Sequence, residues 1–405
     1  MFDVARIRED FPILSTEVHS RPLIYLDSGA TAQKPQCVIE REAELYRTMN
    51  ANVHRGVHTL SERMTEAYEE ARERVRRFIG ASSHEEVIFT AGATASINLV
   101  AYAWSARFLM AGDNILVSEI EHHSNIVPWQ LAAARHGAEI RKLPVDDDGR
   151  LRMELLGELL DERTKLVAIT QASNTLGTRP DLRSVIDAAH AVGAVVMVDG
   201  CQGVVHGGVD VVALDCDFYA FSGHKLYAPT GIGVLYGRRE LLEQMPPFMG
   251  GGDMVDKVSF ARTTYAPLPL KFEAGTANFV GAVTLGEAIA YLESLPLVEV
   301  AVHEQELLRY ATARLAEVEG LRIFGTTADK APIISFCVDG CDHYDVGMIL
   351  DKMGVAIRTG HHCAEPVMAR YGVTGMCRVS FGLYNTTADV DALVAALQRA
   401  VCMLK

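Results

Sequence analysis

No apolar run in this sequence approaches the ~18 residues a helix needs to cross a bilayer. The longest, around 97–104 and 191–198, stop well short, so neither a membrane span nor a membrane partner is expected. The opening Met1-Phe2-Asp3-Val4-Ala5-Arg6 carries an early acid and no apolar segment, and does not read as a signal peptide. The eight cysteines contain no Cys-x-x-Cys pair, which argues against a disulfide framework and against a zinc site. Basic residues are also short: 38 Lys and Arg stand against 52 Asp and Glu, a net charge of −14 that disfavours nucleic acid as a partner. Internal repeats and low-complexity segments are missing too. These gaps together describe an ordinary globular protein of the reducing cytoplasm.

What is present is a long alternation of strand and helix patterns. The 405 residues suffice for a large domain and a smaller one. Strands are read at 86–90, 114–118, 139–143, 166–170, 194–198 and 217–221, and helices at 36–49, 65–79, 97–108, 127–136, 151–160 and 181–192. Such alternation predicts an α/β domain with a mostly parallel sheet, whose ligands collect at the strand carboxyl ends. Residues 246–280 read as loops, and a helix at 280–295 leads out of the domain. A helix at 298–318, strands at 332–338 and 355–358, and helices at 345–353 and 388–403 then predict a small α+β piece. The division expected is 20–294 for the large domain and 295–405, joined by 1–19, for the small one.

The pattern centres on Lys225, in Phe221-Ser222-Gly223-His224-Lys225, between the strand at 217–221 and a second one at 231–236. An amine desolvated at a strand end loses its proton more readily and can attack an aldehyde. In isolation, a lysine in a surface loop would look the same. Upstream, Val195-Val196-Met197-Val198-Asp199 is a buried-strand pattern ending on an acid. Pyridoxal phosphate needs a lysine to attach to, a carboxylate to keep its ring nitrogen protonated, and donors for its phosphate. Lys225 and Asp199 can supply the first two at one sheet edge. The turn Ala91-Gly92-Ala93-Thr94-Ala95-Ser96, between a strand and a helix, fits the third, because helix N-termini attract anions. Thr94 adds a hydroxyl beside Ala93, and Ser222 and His224 can close on the phosphate from the other side.

Two more polar groups follow strands. His122, in Glu121-His122-His123-Ser124-Asn125, can lie on a planar cofactor and move protons, or it can cap a turn. Asn174 follows the strand at 166–170. The His-His pair raises the question of a metal, but no carboxylate or cysteine spacing nearby answers it, so no metal is expected. His54-Arg55 sits in a polar loop that is either solvated or crosses to a partner's site.

A second reactive centre is Arg358-Thr359-Gly360-His361-His362-Cys363-Ala364. Basic neighbours stabilise a thiolate, the form that acts as nucleophile, and Cys363 alone among the cysteines keeps such company. Cys216, Cys337 and Cys402 read instead as small buried hydrophobes. Arg378 offers a bidentate guanidinium of the kind that holds an amino-acid carboxylate.

With these segments quoted, the chain resembles the cysteine desulfurases, specifically the SUF-type (group II) branch, along nearly its whole length. The resemblance implies an aminotransferase-like fold (PLP fold type I), a homodimer with sites at its interface, and conversion of L-cysteine to L-alanine. Sulfur would pass through a persulfide on Cys363 to an acceptor protein of the SUF system for iron–sulfur cluster assembly; a selenocysteine lyase, or another PLP enzyme of fold type I, stays open as the alternative. It also implies roles. Lys225 would carry the cofactor, Asp199 would pair with its ring nitrogen, Gln202 would touch its hydroxyl and His122 would stack on it. Ala93, Thr94, Ser222 and His224 would hold the phosphate, with Thr276 contributed by the partner subunit. Asn174, Arg358 and Arg378 would hold substrate, and His54-Arg55 would face the neighbouring site. The chain departs from the family pattern at Ala95, Cys201, Gly203, Ala277 and Phe279.

Overall fold

The computed structural model describes residues 2–405. Its large unit is built on a seven-stranded sheet. The strands lie in the order Val87–Thr90, Gly233–Gly237, Phe218–Ser222, Val195–Asp199, Thr164–Thr170, Asn114–Ser118, Glu139–Leu143. Gly233–Gly237 runs antiparallel to both its neighbours, and the remaining pairings are parallel. The mostly parallel sheet expected from the alternation is therefore present. Its central strands are buried along nearly their whole length, which accounts for continuous apolar runs such as Val195-Val196-Met197-Val198.

Two hydrophobic cores pack on the opposite faces of this sheet. Val196, Val198, Tyr219 and Phe221 enter one, and Met197, Phe218 and Ala220 the other. Alternate residues separate in this way because successive strand side chains point to opposite faces. The carboxyl ends of six strands share one edge, so Thr90, Ser118, Thr170, Asp199 and Ser222 come to the same rim. Gly233 pairs with both Thr90 and Ser222 there. A Cβ at Gly233 would stand 2.4 Å from the Gly92 Cα, so only glycine lets the turn after Thr90 lie this close.

The smaller unit holds an antiparallel sheet in the order Leu321–Phe324, Ile333–Val338, Met376–Ser380, Arg358–Gly360. Helices Leu297–Leu315, His343–Lys352 and Thr387–Leu404 contribute to a third core with it. The N-terminal Ile24–Tyr25 pairs with Val355–Ala356, and Leu26 belongs to this third core.

Several elements differ from the sequence expectation. The helix expected at 97–108 spans Ala93–Phe108, and the one expected at 65–79 spans Thr59–Phe78, where a histidine, His58, supplies the cap. The 151–160 helix is a 3-10 turn, Met153–Leu155, followed by the single turn Leu156–Leu159. The 246–280 loop contains a hairpin, Val255–Val258 with Thr263–Tyr265. The strand Leu321–Phe324 and the helix Glu365–Tyr371 were not expected. Among the described residues, no helix is long and apolar enough to cross a membrane.

Candidate active site

The rim of the large sheet and the small unit enclose one polar pocket. Thr94, His122, Asn174, Asp199, Ser222, His224, Lys225, Arg358 and Arg378 all line it. These nine positions come from segments spread over 285 residues, and the strand ends gather the first seven.

Asp199 ends its strand nearly buried, and its Oδ1 accepts the Cys201 N–H at 2.9 Å. Lys225 closes a 3-10 turn, Gly223–Lys225, directly after the strand Phe218–Ser222. The Ala93 N–H donates to Ser222 Oγ at 2.8 Å, which ties the first turn of helix Ala93–Phe108 to the lysine strand. Gly92, with φ 145°, caps that helix without a side chain, and Ala93 and Thr94 of its first turn line the pocket. Thr94 Oγ1 and Ser124 Oγ share a 2.7 Å hydrogen bond. The helix N-terminus, Thr94 and Ser222 thus lie together on one side of the pocket, and the helix begins inside the expected turn.

His122 caps a turn at the pocket wall. Its Nδ1 accepts the Ser124 N–H at 3.1 Å and caps the turn His123–Asn125, while the residue also lines the pocket. Burial, reinforced by the Lys225 charge, pushes its imidazole down to about 4, so the ring is neutral at pH 7. Burial and the charges of Lys225 and Lys34 bring His224 down to about 4 as well.

The opposite wall is cationic. Arg358 and Arg378 are directly paired across adjacent antiparallel strands, a like-charge juxtaposition that disfavours the free site and favours an anion between them. Arg378 is 2% exposed. Its Nη1 donates to the Asn174 carbonyl at 2.9 Å and its Nη2 to Asp27 Oδ1 at 2.8 Å. Burial lowers its proton affinity, with Asp27 opposing, while burial raises the Asp27 carboxyl against the pull of Arg378. Arg378 Nε and Asn174 Oδ1 are both buried without a partner. Orphaned polar atoms in two pocket-lining residues call for a ligand that supplies an acceptor and a donor. A substrate carboxylate with an adjacent amino group fits them.

The Cys363 loop lies over this wall. His362 and Cys363 take left-handed φ angles of 52° and 55°, a conformation that non-glycine residues resist. Two contacts hold the turn: Asn174 Nδ2 donates to the His362 carbonyl at 2.8 Å, and the His123 N–H donates to the Cys363 carbonyl at 2.7 Å. His362 lines the pocket, and burial with the two arginines depresses its imidazole to about 2. Cys363 is half-buried, whereas Cys201 is buried in the pocket wall and pushed up to about 12 by that burial. Cys216 is buried as read from the sequence. Cys337 is only half-buried and Cys402 is exposed, because it falls on the outer face of the closing helix. All eight cysteines are free.

Four predicted positions stand apart from the pocket. Gln202 is buried and gives its amide to the Gly29 carbonyl at 2.8 Å. Thr276 lies in a separate depression with Ala95 and Ala277. His54 pairs with Glu69 at 2.9 Å, and Arg55 pairs with Asp253, at another surface site. Gly203, a departure from the family pattern, makes room for Gln171: a Cβ there would meet its Cδ at 2.1 Å.

Two residues that sequence reading passed over matter here. Asp27 orients Arg378 from the end of the short strand Ile24–Tyr25. Glu121, fully buried, accepts from Ser118 Oγ, from Asn125 Nδ2 at 2.7 Å and from the Thr170 N–H at 2.7 Å. Burial raises its carboxyl to about 8. Its place in the Glu-His-His-Ser-Asn loop was the available signal.

A seven-stranded, mostly parallel sheet with its polar pocket at the strand carboxyl ends is the aminotransferase-like α/β fold of PLP fold type I. The aminotransferase class-V family profile matches residues 24–393, and the chain belongs to that family. It is 53% identical over 399 residues, 98% of each chain, to the cysteine desulfurases of Salmonella gallinarum and Klebsiella pneumoniae. The cysteine desulfurase CsdA (S-sulfonic acid) from Escherichia coli superposes with a TM-score of 0.93 at 43% identity, covering 100% of both chains. The apo cysteine desulfurase of Thermococcus onnurineus NA1 gives 0.94 at 36% identity, covering 100% of this chain and 99% of its own.

Proposed function

We propose that this chain is a pyridoxal-phosphate-dependent cysteine desulfurase that forms a persulfide on Cys363. The carrying observation is the convergence of Lys225, Asp199, the Arg358–Arg378 pair and the Cys363 loop on one pocket. The relatives at 53% identity support the same reading.

Bound in this pocket, the cofactor supplies an electron sink for the α-carbon of the substrate amino acid. Lys225 would hold it and would move the α-proton of the substrate. Asp199 holds the ring nitrogen protonated from the buried strand end. The helix N-terminus at Ala93, with Thr94, Ser222 and His224, grips the phosphate. Arg378, Arg358 and Asn174 orient the carboxylate and amino group of L-cysteine. Neutral His122 covers the ring and hands on protons. The Cys363 thiolate attacks the substrate sulfur; the substrate C–S bond breaks, the β-carbon takes a proton and L-alanine leaves. Cys363-SH and L-cysteine thus become Cys363-S-SH and L-alanine, with atoms balanced.

The finer reading places the enzyme in the SUF-type branch. It works in the cytoplasm as a homodimer and passes sulfur to an acceptor protein for iron–sulfur cluster assembly. Thr276 and the His54-Arg55 loop, away from this chain's own pocket, are then set to serve the partner's. The division into 20–294 and 295–405 with 1–19 belongs to the same reading, with the Cys363 loop on the small domain.

Alanine release from L-cysteine tests it. Cys363→Ala is expected to abolish alanine formation while the protein stays yellow and is bleached by borohydride. Full activity in that variant would end the persulfide assignment. A colourless protein after incubation with pyridoxal phosphate would end the whole reading.

A further inference from the structure

We propose that His123, His361 and Cys363 form a site for a soft divalent cation, zinc foremost, and that the cation caps the Cys363 sulfur. Sequence spacing argued against any metal, because His123 lies 240 residues from Cys363. The fold closes that separation. The ligand atoms of the three residues all lie within 4.8 Å of one another. The His123 N–H already holds the Cys363 carbonyl, and the His123 and His361 rings stack at 5.7 Å and 25°.

One thiol and two imidazoles are the donor set that zinc and its neighbours prefer. Three protein ligands with an open fourth position are a recurrent zinc arrangement. Ligand atoms around tetrahedral zinc stand about 3.5 Å apart, given metal–ligand distances near 2.0–2.3 Å. Small side-chain rotations on the half-exposed loop bridge the difference. His361 Nδ1 accepts the Cys363 N–H at 3.1 Å, and His123 Nε2 accepts the Glu365 N–H at 3.1 Å. A cation would take the same lone pairs in exchange for these two contacts. Glu365 Oε2, 3.7 Å from His123 Nε2, stands where a fourth ligand or a neutralising charge would be. Exposed His361 leaves the site open to solvent.

Binding converts Cys363-SH and Zn²⁺ into a zinc thiolate and one released proton. The sulfur electron pair is then committed to the metal, and the nucleophile is silent until zinc leaves. Metal binding can be measured whether or not the chain turns over cysteine, so it succeeds or fails independently of the desulfurase reading.

The experiment titrates zinc chloride into reduced, chelator-treated full-length holoenzyme against a chromophoric chelator. Mass spectrometry follows iodoacetamide labelling of the Cys363 peptide in parallel. The expected result is one zinc per chain, with Cys363 labelling slowed at least about tenfold and restored by EDTA. His123→Ala, His361→Ala and Cys363→Ser are each expected to weaken zinc binding at least about 100-fold, more than the 10- to 100-fold seen for groups behind the ligands. Cys402→Ser, on the exposed face of the closing helix, is expected to leave zinc affinity unchanged. Should His123→Ala fail to fold, the other two variants decide. Zinc binding that survives all three substitutions, or Cys363 labelling indifferent to zinc, would overturn the proposal.

Discussion

The Asn174 side chain reaches 188 residues along the chain to hold the His362 carbonyl at 2.8 Å. Through that bond, a strand end of the large sheet fixes the left-handed turn that carries Cys363. Its own Oδ1 is left without a partner. Removing one such bond costs about 1 kcal/mol, or roughly fivefold in a conformational equilibrium. Asn174→Ala is therefore expected to label at Cys363 about fivefold faster with iodoacetamide. Turnover of L-cysteine should fall further still, because the orphaned oxygen disappears with the amide. Equal labelling rates in variant and parent would show that the turn holds without Asn174.

Arg378 joins recognition to folding. Its guanidinium serves Asn174 and Asp27 together, and a lysine cannot reproduce that fork. Arg378→Lys is expected to raise the KM for L-cysteine at least tenfold with a modest loss of stability. Arg378→Ala leaves Asp27 without its cation and should destabilise by about 3 kcal/mol. Steady-state kinetics and urea midpoints separate the two effects.

Glu121 knits two strand ends, at Ser118 and Thr170, to the turn that ends at Asn125. Glu121→Ala strands three buried donors and is expected to lose about 2–4 kcal/mol in urea unfolding. Glu121→Gln keeps one acceptor and the volume, and should lose less than half as much. Equal losses would assign the effect to volume alone.

Lys330 is buried, and its Nζ donates to the Gly325 carbonyl at 2.6 Å. Burial lowers its amine from 10.5 to about 8. Between those values the unfolded chain binds a proton that the folded chain does not, so stability rises with pH from about 8 to 10.5. Below pH 8 both states are charged, and the folded state carries an unfavourable charge of about 3 kcal/mol at ~1.4 kcal/mol per tenfold in proton affinity. Lys330→Met is expected to raise the thermal midpoint at pH 7 and to flatten the rise above pH 8. A variant with the parent's pH profile would locate that rise elsewhere.

Local chemistry made much of this legible. Strands such as Val195–Asp199 announce themselves because burial on both faces demands unbroken apolar residues. The polar residues that end them then stand out. Misreadings had local causes too. Ala93-Thr94-Ala95-Ser96 looks like a turn because small residues favour turns, yet Gly92 starts the helix there. His58 caps Thr59–Phe78 in a role usually taken by Ser, Thr, Asp or Asn. The hairpin at 255–265 is half-exposed to exposed and lacks a sharp apolar alternation.

From residue order alone came the alternating α/β architecture and the lysine and the acid at adjacent strand ends. Those depend on periodicity and near neighbours, which a chain carries in one dimension. Only the folded molecule decided that Asn174 grips the Cys363 turn, that Arg358 faces Arg378, and that His123 meets His361 and Cys363. Asn174 and His123 meet the Cys363 loop where the rim of the large sheet packs against the small unit, while Arg358 meets Arg378 through strand pairing within the small sheet, and no local pattern records either.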